Sequence, residues 1–310
     1  MGTGQSRVIG RLEVAVQDVV RTPGFKPDVS HHYIRLPKTN LHYIKCGDGP
    51  PLIMVPATIS KIENWLALAQ FMGQRFTVYF FELPGHGTSS PFPEPFCSRL
   101  AAETVEDFID RLGYETVSLM GFSFGGILAV TSLARLRRRV EKIILLSPAV
   151  TRRALKYSRN HLWLLRRAVR ILRIPKVRAS TLYLIRSSRF NGALARFFAK
   201  VGKVEKSIPM GEVFQKLTES TADVLCYQIA EMLDFEMELQ AQPFSQPCYF
   251  AMSVRDPLLD FETTLETMKR HFETVHVERF DFPYHQPPQP LTFEEVVDHH
   301  GPLLEYICHT

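Results

Sequence analysis

A serine set among glycines is the feature of this sequence that points most directly to chemistry. Ser123 lies in the segment Gly121–Gly126, which reads GFSFGG and joins a predicted strand to a predicted helix. In such a tight turn the hydroxyl projects away from the sheet, and small residues on both sides let the strand and the helix approach. The amino end of the helix adds amide donors and a positive dipole end. The pattern indicates a nucleophilic serine, although a glycine-rich turn in which Ser123 only caps the helix remains an alternative.

Two further polar residues follow strands that are predicted later in the chain. Asp256 comes after the predicted strand Cys248–Met252, and His285 comes after the predicted strand Val275–Arg279. The carboxyl ends of parallel strands meet at one edge of a sheet, so we expect both side chains near Ser123. A neutral imidazole can take the serine proton, and a carboxylate can hold that imidazole in the correct tautomer.

Other residues compete for these roles. Asp260 and Asp281 are also candidates for the carboxylate, and Asp256 is preferred because it is the first to follow its strand. The chain has eleven histidines, so an ordinary surface position is the alternative for the candidate base. The adjacent His299 and His300 fall inside the last predicted helix and are expected to be solvated surface.

These candidates need a scaffold that brings distant strands to one edge. Period-2 alternation over His32–Leu36 and Leu41–Lys45 predicts an antiparallel hairpin at a sheet edge. Strands and helices then alternate with short connections, which is typical of a parallel sheet with helices on both faces. The further predicted strands are 52–55, 76–81, 116–120, 140–146, 248–252 and 275–279, and the predicted helices are 62–73, 98–112, 125–137, 261–272 and 293–307.

The alternation stops between Thr151 and Gln240, where the sequence predicts helices and no strand. A helical insertion between two strand–helix units would cover the carboxyl edge of the sheet, where open α/β sheets bind ligands. The expected organisation is a core in two parts, residues 1–149 and 242–310, with a helical cap over residues 150–241 inserted after the sixth strand.

Charge is unevenly distributed along the chain. The net charge is +5, but residues 151–206 hold sixteen Lys or Arg and one acid, whereas residues 207–240 hold seven acids and one base. Apolar and basic residues interleave over His161–Arg173, which leaves open a peripheral contact with an anionic membrane. The favoured interpretation is a solvated cap helix whose apolar side packs on the core. No nucleic-acid partner is expected, since the sequence has no recognised motif for one.

Composition excludes several classes of protein. Hydrophobic residues make up 45% of the 310 and charged residues 22%, as in ordinary globular proteins. No apolar run reaches the roughly 18–20 residues that span a bilayer. The first residues lack the apolar core of a secretory signal, so a cytoplasmic location is expected. The five cysteines are scattered, which predicts reduced thiols and no zinc site.

The glycine-flanked serine, the order Ser, Asp, His and the helical insertion resemble the capped serine hydrolases of the α/β-hydrolase superfamily. The resemblance covers roughly Tyr33–Ile307. It extends to Glu82–Ser89, which is similar to the family's D-x-x-G-x-G-x-S loop, and His86 in that loop is expected to be structural.

The resemblance implies a mostly parallel central sheet flanked by helices, with the site at its carboxyl edge. It assigns the nucleophile, the base and the orienting acid to Ser123, His285 and Asp256, with no metal or organic cofactor. The implied reaction is esterase- or lipase-like cleavage of a small-molecule carboxylic ester with an apolar acyl group. Carbon–carbon bond hydrolases, perhydrolases and acyltransferases use the same triad, and a non-catalytic binding protein on this scaffold is a further alternative.

The resemblance also implies an oxyanion hole. Its donors would be the backbone N–H groups of Phe124 and of Thr58, the latter because Pro56–Ala57 replaces the family's usual His-Gly. Three further departures from the family pattern are Glu82 in place of Asp, Ser253 where Gly often precedes the acid, and Tyr284 where Gly often precedes the histidine.

Overall fold

Apolar strands form the centre of the computed structural model, which describes residues 7–9, 25–58, 61–186, 192, 215–238 and 241–309. The strands are β1 Arg7–Ile9, β2 Val29–Arg35, β3 Asn40–Cys46, β4 Pro51–Val55, β5 Thr77–Phe81, β6 Val117–Phe122, β7 Val140–Leu146, β8 Cys248–Ser253 and β9 Thr274–Phe280. The α-helices are α1 Ile62–Met72, α2 Ser98–Leu112, α3 Phe124–Leu136, α4 Arg159–Leu172, α5 Pro175–Arg186, α6 Glu219–Asp234, α7 Phe261–His271 and α8 Phe293–His309.

The nine strands form one sheet in the order β1-β9-β8-β7-β6-β4-β5-β3-β2. Neighbouring strands are parallel except at β2 and β3 and at β3 and β5, which are antiparallel. The predicted hairpin is therefore β2 and β3, with β2 at the sheet edge. The mostly parallel sheet with flanking helices confirms the predicted fold class.

Burial on both faces explains why the central strands are continuously apolar. Successive side chains of a strand point to opposite faces, and in β4 Ile53 joins one buried cluster while Leu52 and Met54 join the other. The helices α2, α3 and α7 contribute to the first cluster, and α1 and α8 contribute to the second. The sheet is thus covered on both sides, and its carboxyl edge is left for the connecting loops.

The predicted elements agree with the structure to within three residues at every end. One strand, β1, was not predicted, because three residues give too little periodicity to be recognised. It pairs in parallel with β9 at the far edge of the sheet. The sixth predicted strand, after which the helical insertion begins, is therefore β7.

Helices follow β7, as the sequence predicts. In the described part of residues 150–241, the helices α4, α5 and α6 lie between β7 and β8. The β-type pairing there is limited to isolated bridges, such as the one between Thr151 and Glu236. Arg178 of α5 pairs with Asp223 of α6 at 2.6 Å. Residues 187–191, 193–214 and 239–240 lie outside the described residues, so the division into core and cap stays a prediction. None of the described helices combines the length and apolarity that crossing a bilayer requires.

The carboxylate of Glu231 joins α6 to the core. It accepts a hydrogen bond from the backbone N–H of Ser98 at 3.1 Å and another from the Ser98 hydroxyl. Ser98 is the first residue of α2, whose preceding residue Cys97 provides no side-chain cap. An acceptor from another helix thus satisfies a donor that α2 leaves unpaired. Burial raises the pKa of Glu231 above its usual range, against the opposite effect of its bonds from Ser98.

Glu231→Gln is expected to be at least as stable as the wild type near pH 7, because the amide oxygen still accepts from Ser98 and no charge is buried. A raised folded-state pKa means that Glu231 favours folding below its unfolded pKa of about 4.3, and that this contribution is lost as the pH rises through the folded value. Glu231→Ala leaves Ser98 without its acceptor and should lower the free energy of unfolding by about 1–3 kcal/mol. Urea unfolding near pH 4 and near pH 7 measures these effects.

Glu219→Gln is the control, since Glu219 is an exposed acid on the same helix. Its stability should stay within about 1 kcal/mol of the wild type near pH 4 and near pH 7, since a first-turn acid contributes only a small interaction with the helix dipole. If Glu231→Gln lost stability near pH 7 and regained it near pH 4, the buried charge would be a stabilising one and the interpretation would be wrong.

Candidate active site

The turn between β6 and α3 holds Ser123 in a strained backbone conformation. Its φ is +52°, in a region that residues other than glycine rarely occupy. A Cβ atom added at Gly121 would lie 2.2 Å from the carbonyl oxygen of Gly125, so the strand and the helix approach through glycine. Ser123 precedes α3 but makes no side-chain capping bond. The geometry therefore does not match the alternative in which this serine only caps the helix.

A hydrogen-bonded chain links the three predicted residues. The Nε2 atom of His285 lies 2.8 Å from the Ser123 Oγ, and its Nδ1 atom lies 2.6 Å from Oδ2 of Asp256. An ionised carboxylate can only accept, so it places the proton of a neutral imidazole on Nδ1. Nε2 is then the atom that accepts the serine proton.

Backbone hydrogen bonds fix the orientation of the Asp256 carboxylate. Only 1% of its surface is exposed. Its second oxygen, Oδ1, accepts hydrogen bonds from the backbone N–H groups of Leu258 at 2.8 Å and Leu259 at 2.9 Å. These bonds leave Oδ2 directed at the imidazole. Side-chain rotation would break them, so the carboxylate is held in place before any substrate binds.

The two competing acids have other partners. Asp260 begins α7, where its side chain accepts from the backbone N–H of Thr263 at 3.0 Å. Asp281 pairs with Arg255 at 2.6 Å, and both side chains are largely exposed. The structure therefore brings Asp256, and neither alternative, to the histidine.

Ser253 is a positioning residue that sequence analysis noted only as a departure from glycine. Its hydroxyl donates to the carbonyl of Phe282 at 2.6 Å and accepts from the backbone N–H groups of Phe282 at 2.9 Å and Arg255 at 3.1 Å. It lies at the end of β8 and is buried. These bonds join the loop that carries Asp256 to the loop that carries His285.

The two predicted oxyanion donors follow neighbouring parallel strands, Thr58 after β4 and Phe124 after β6, at the carboxyl edge of the sheet. Phe124 is the first residue of α3, so its N–H has no acceptor within the helix. A Cβ atom at Gly125 would lie 2.6 Å from the carbonyl oxygen of Val55, which places the start of the loop after β4 against this helix. Thr58 follows in that loop and lines the cavity described next. The role of both N–H groups stays a prediction.

A cavity of about 760 Å³ reaches His285. Aromatic rings connect the histidine to the cavity wall, because Phe122 lies 5.2 Å from the His285 ring and 4.8 Å from the Trp65 ring, centre to centre. The large apolar side chains that line the cavity include Trp65, Leu68, Phe122, Phe280, Phe282 and Leu291. The wall is therefore suited to an apolar group next to the serine.

His299 and His300 were predicted to be solvated surface, and the structure corrects this. Both line the cavity, where they contact the rings of Phe282 and Phe280 at 4.9 and 5.1 Å. Burial lowers the pKa of His300 to about 4, so this imidazole is neutral near pH 7. The helical pattern of α8 could not show which of its sides faces the sheet edge.

His86 in the glycine-rich loop also lines the cavity and is nearly completely buried. Burial lowers its pKa to about 4, so it is neutral near pH 7 as well. The carboxylate of Glu82, in place of the family's aspartate, holds this loop through the N–H of Thr88 at 2.8 Å and pairs with His42 at 3.0 Å. A longer acid thus ties the loop to the edge hairpin. The described residues contain no cluster of three or more His, Cys, Asp or Glu side chains suited to a metal ion.

Known proteins share sequence with this chain. The family described as alpha/beta hydrolase fold matches residues 50–180. A soluble epoxide hydrolase of Corynebacterium sp. (strain C12) is 27% identical over 119 residues, which are 38% of this chain and 42% of that protein. A pimeloyl-acyl-carrier-protein methyl ester esterase of Nitrosospira multiformis is 30% identical over 113 residues, which are 36% of this chain and 43% of that protein. The chain spans less than half the length of these curated relatives.

The fold is shared over a longer stretch. The crystal structure of a membrane phospholipase A, described as a bacterial virulence factor, aligns with a TM-score of 0.63 at 21% identity, over 91% of this chain and 87% of that one. At this level of identity the likeness concerns the fold alone. It agrees with the strand order and with the family match.

Ser253→Ala should lower the free energy of unfolding by about 1–3 kcal/mol, because two partly buried backbone N–H groups lose their acceptor. It should also slow the reaction of Ser123 with a fluorophosphonate probe by about tenfold or more, because the loops of Asp256 and His285 lose their link. Urea unfolding and labelling rates measure the two effects.

Ser132→Ala is the matched control, since this buried serine of α3 has no hydrogen-bond partner for its hydroxyl within the described residues. It should change neither quantity appreciably. A labelling rate for Ser253→Ala equal to that of the control would exclude a positioning role.

Proposed function

We propose that this chain, a member of the α/β-hydrolase superfamily, hydrolyses carboxylic esters with an apolar acyl group through an acyl-enzyme. The observation that carries the proposal is the position of His285, within hydrogen-bond distance of both Ser123 and Asp256. This is the arrangement that activates a serine hydroxyl near neutral pH. The other features of the site supply an oxyanion hole and a binding cavity.

In the first half of the proposed reaction, Ser123 Oγ attacks the ester carbonyl carbon while Nε2 of His285 takes the hydroxyl proton. The carbonyl oxygen becomes negative and is stabilised by the N–H groups of Phe124 and Thr58. When the tetrahedral intermediate collapses, the bond to the alcohol oxygen breaks, and His285 returns the proton to the departing alcohol. The acyl group stays on Ser123.

In the second half, water replaces the alcohol. His285 takes a proton from the water as the oxygen attacks the acyl carbon, and it then protonates Ser123 as the carboxylic acid leaves. Asp256 remains ionised throughout and stabilises the imidazolium that forms in each half. The two backbone donors to its Oδ1 atom keep it in place, and no cofactor takes part.

The nature of the nucleophile favours an acyl substrate over an epoxide, although one relative is named an epoxide hydrolase. A serine oxygen that opened an epoxide would form an ether, which water cannot cleave by addition to a carbonyl. The same oxygen attacking an ester forms a new ester, which water can hydrolyse. Ser123 can therefore complete a catalytic cycle on an ester and would be trapped by an epoxide.

Ser123→Ala is expected to abolish turnover of p-nitrophenyl butyrate and labelling by a fluorophosphonate, because no other hydroxyl of the described residues is hydrogen-bonded to His285. Asp256→Asn should reduce kcat by about 10³–10⁴-fold, because the amide stabilises the wrong imidazole tautomer. Steady-state kinetics and mass spectrometry of the labelled protein measure both, with circular dichroism to check folding. Folded Ser123→Ala protein that retains full turnover would refute the proposal.

Ala67→Trp should impair long acyl chains more than short ones, because Ala67 lines the cavity and a larger side chain would fill it. We expect kcat/KM for p-nitrophenyl octanoate to fall by about tenfold relative to the acetate, a size effect typical of apolar pockets. Ala134→Trp, at an exposed position of α3, is the control. An equal loss of kcat/KM for both esters would mean that the acyl group does not bind beside Ala67.

A panel that adds a vinylogous diketone, hydrogen peroxide and an acceptor alcohol to the esters distinguishes ester hydrolysis from carbon–carbon bond hydrolysis, perhydrolysis and acyl transfer. Each of these alternatives uses Ser123 in the same way. If the protein turned over the diketone and none of the esters, the role of the triad would stand, but the proposed substrate class would be wrong.

A further inference from the structure

The outer surface of α4 and α5 exposes large apolar side chains to solvent. Nine large hydrophobic residues of the described chain are exposed, and six of them lie on these two helices or between them. The exposed fraction reaches 56% at Trp163 and 76% at Tyr183. The other four are Leu164, Ile171, Ile174 and Leu184. Such a concentration is unusual for a surface that contacts only water.

The same two helices are strongly basic. Residues 159–186 contain eight Arg or Lys and no acid. Two of the cations are used internally, since Arg166 pairs with Asp234 and Arg178 pairs with Asp223. The remaining six are exposed, and within the described residues none of them forms an ion pair with an acid; they are Arg159, Arg167, Arg170, Arg173, Lys176 and Arg186.

The apolar and basic side chains share one stripe of α4. Trp163, Arg167, Arg170 and Ile171 follow one another at helical spacing, so they project from the same side of α4, and Ile174 lies just after the end of this helix. The Arg167 guanidinium lies 5.2 Å from the centre of the Trp163 ring. This outward stripe, together with Leu164, Ile174, Tyr183, Leu184 and the other exposed cations of the two helices named above, is called the docking face below.

A different side of α4 contacts the protein. Leu162 and Leu165 pack against the main apolar cluster, and Val169 is buried. The sequence-based interpretation, in which the apolar side of the helix packs on the core, therefore accounts for this side. It leaves the apolar residues of the docking face unexplained.

We propose that the docking face binds a lipid surface with anionic headgroups. Aromatic and aliphatic side chains would enter the boundary between headgroups and acyl chains, while the arginines and lysines contact the phosphates. A nucleic acid would match the charge but would leave the aliphatic side chains without an apolar contact. A second copy of the chain, bound symmetrically, would bring two sets of six cations together.

One end of the docking face adjoins the cavity. Arg186, the last residue of α5, donates to the carbonyl of Leu217 at 2.6 Å, and Leu217 and Lys216 line the cavity. A lipid surface on α4 and α5 would therefore lie near the route to Ser123. The binding itself does not depend on the proposed ester hydrolysis.

Co-sedimentation of the full chain with large unilamellar vesicles tests the proposal. Vesicles of phosphatidylcholine with about 30% phosphatidylglycerol should bind the protein, and pure phosphatidylcholine vesicles should bind it weakly. Raising NaCl from about 0.1 M to about 0.5 M should weaken binding, because salt screens the exposed charges. Absence of binding to the anionic vesicles at the lower salt concentration would overturn the proposal.

A pair of charge reversals locates the surface. R167E/R170E should weaken binding to the anionic vesicles by at least about 25-fold, since each basic residue near a membrane surface contributes roughly fivefold. R111E/R138E makes the same change in net charge at exposed positions on α2 and after α3 and should bind almost as the wild type does. An equal loss in both variants would mean that overall charge, and not this face, causes binding.

A second double variant tests the apolar contribution. L164S/I171S keeps every charge and should weaken binding to the same vesicles by about tenfold or more, because both side chains are half exposed and lose their apolar contact. Unchanged binding would indicate a purely electrostatic contact. Tighter binding to a duplex oligonucleotide than to vesicles, or a dimer that R167E/R170E dissociates, would assign the face to one of the other partners and overturn the proposal.

The same proteins separate this proposal from the proposed activity. Ser123→Ala should bind vesicles as the wild type does, and R167E/R170E should hydrolyse a soluble butyrate ester at the wild-type rate. Loss of hydrolysis with intact vesicle binding would affect only the proposed function. Absence of vesicle binding by a wild-type protein that hydrolyses the ester would refute only the proposal for the docking face.

Discussion

The position of Ser123 depends on a contact between backbones, because the amino end of α3 approaches its neighbours where side chains are absent. Gly125 lies against carbonyl oxygens of the loop after β4, and Gly126 lies against Pro148 beyond β7. The start of the helix is therefore wedged between the ends of two strands, and Ser123 must adopt a positive φ to connect β6 to it. Strain of this kind costs about 1–3 kcal/mol and persists only where the surroundings determine it. Most of α3 is buried, which supplies that constraint.

The catalytic base, His285, follows a strand that is not adjacent to the strand of Ser123. In the sheet, β7 and β8 lie between β6, which leads to Ser123, and β9, which leads to His285. The chain after β9 must therefore cross the ends of these two strands before the imidazole reaches the serine. Ser253, at the end of β8, holds the crossing segment at Phe282 with two hydrogen bonds. The acid follows only three residues later, so one buried hydroxyl sets the separation between the carboxylate and the imidazole.

Whether a feature could be predicted from the sequence depends on how far apart in the chain its interacting residues are. Strands, helices and the turn at Ser123 were predictable because their signals are local: apolar runs, helical periodicity and glycines two residues from a serine. Ser253 has its partner 29 residues away, so its sequence neighbourhood contains no trace of the bond. The cavity-facing side of His299 and His300 depends on how α8 rotates against the sheet, and β1 is defined mainly by its pairing with β9. These features belong to the tertiary structure and have no local pattern.

Charge in α4 and α5 is sorted by burial. Asp234 and Asp223 of α6 pair with Arg166 and Arg178, which are less exposed than the other cations of the two helices, and these pairs link the helices. The exposed cations of α4 and α5 form no ion pair among the described residues, and large apolar side chains lie between them. Helices that only covered a cavity would be as well packed with polar residues at these outward positions, since Leu162, Leu165 and Val169 already supply the inner contacts. Apolar area in water costs about 25 cal/mol per Å² relative to burial, so the outward residues gain stability only through a further contact. A surface that is both apolar and anionic offsets this cost and the unpaired charge together.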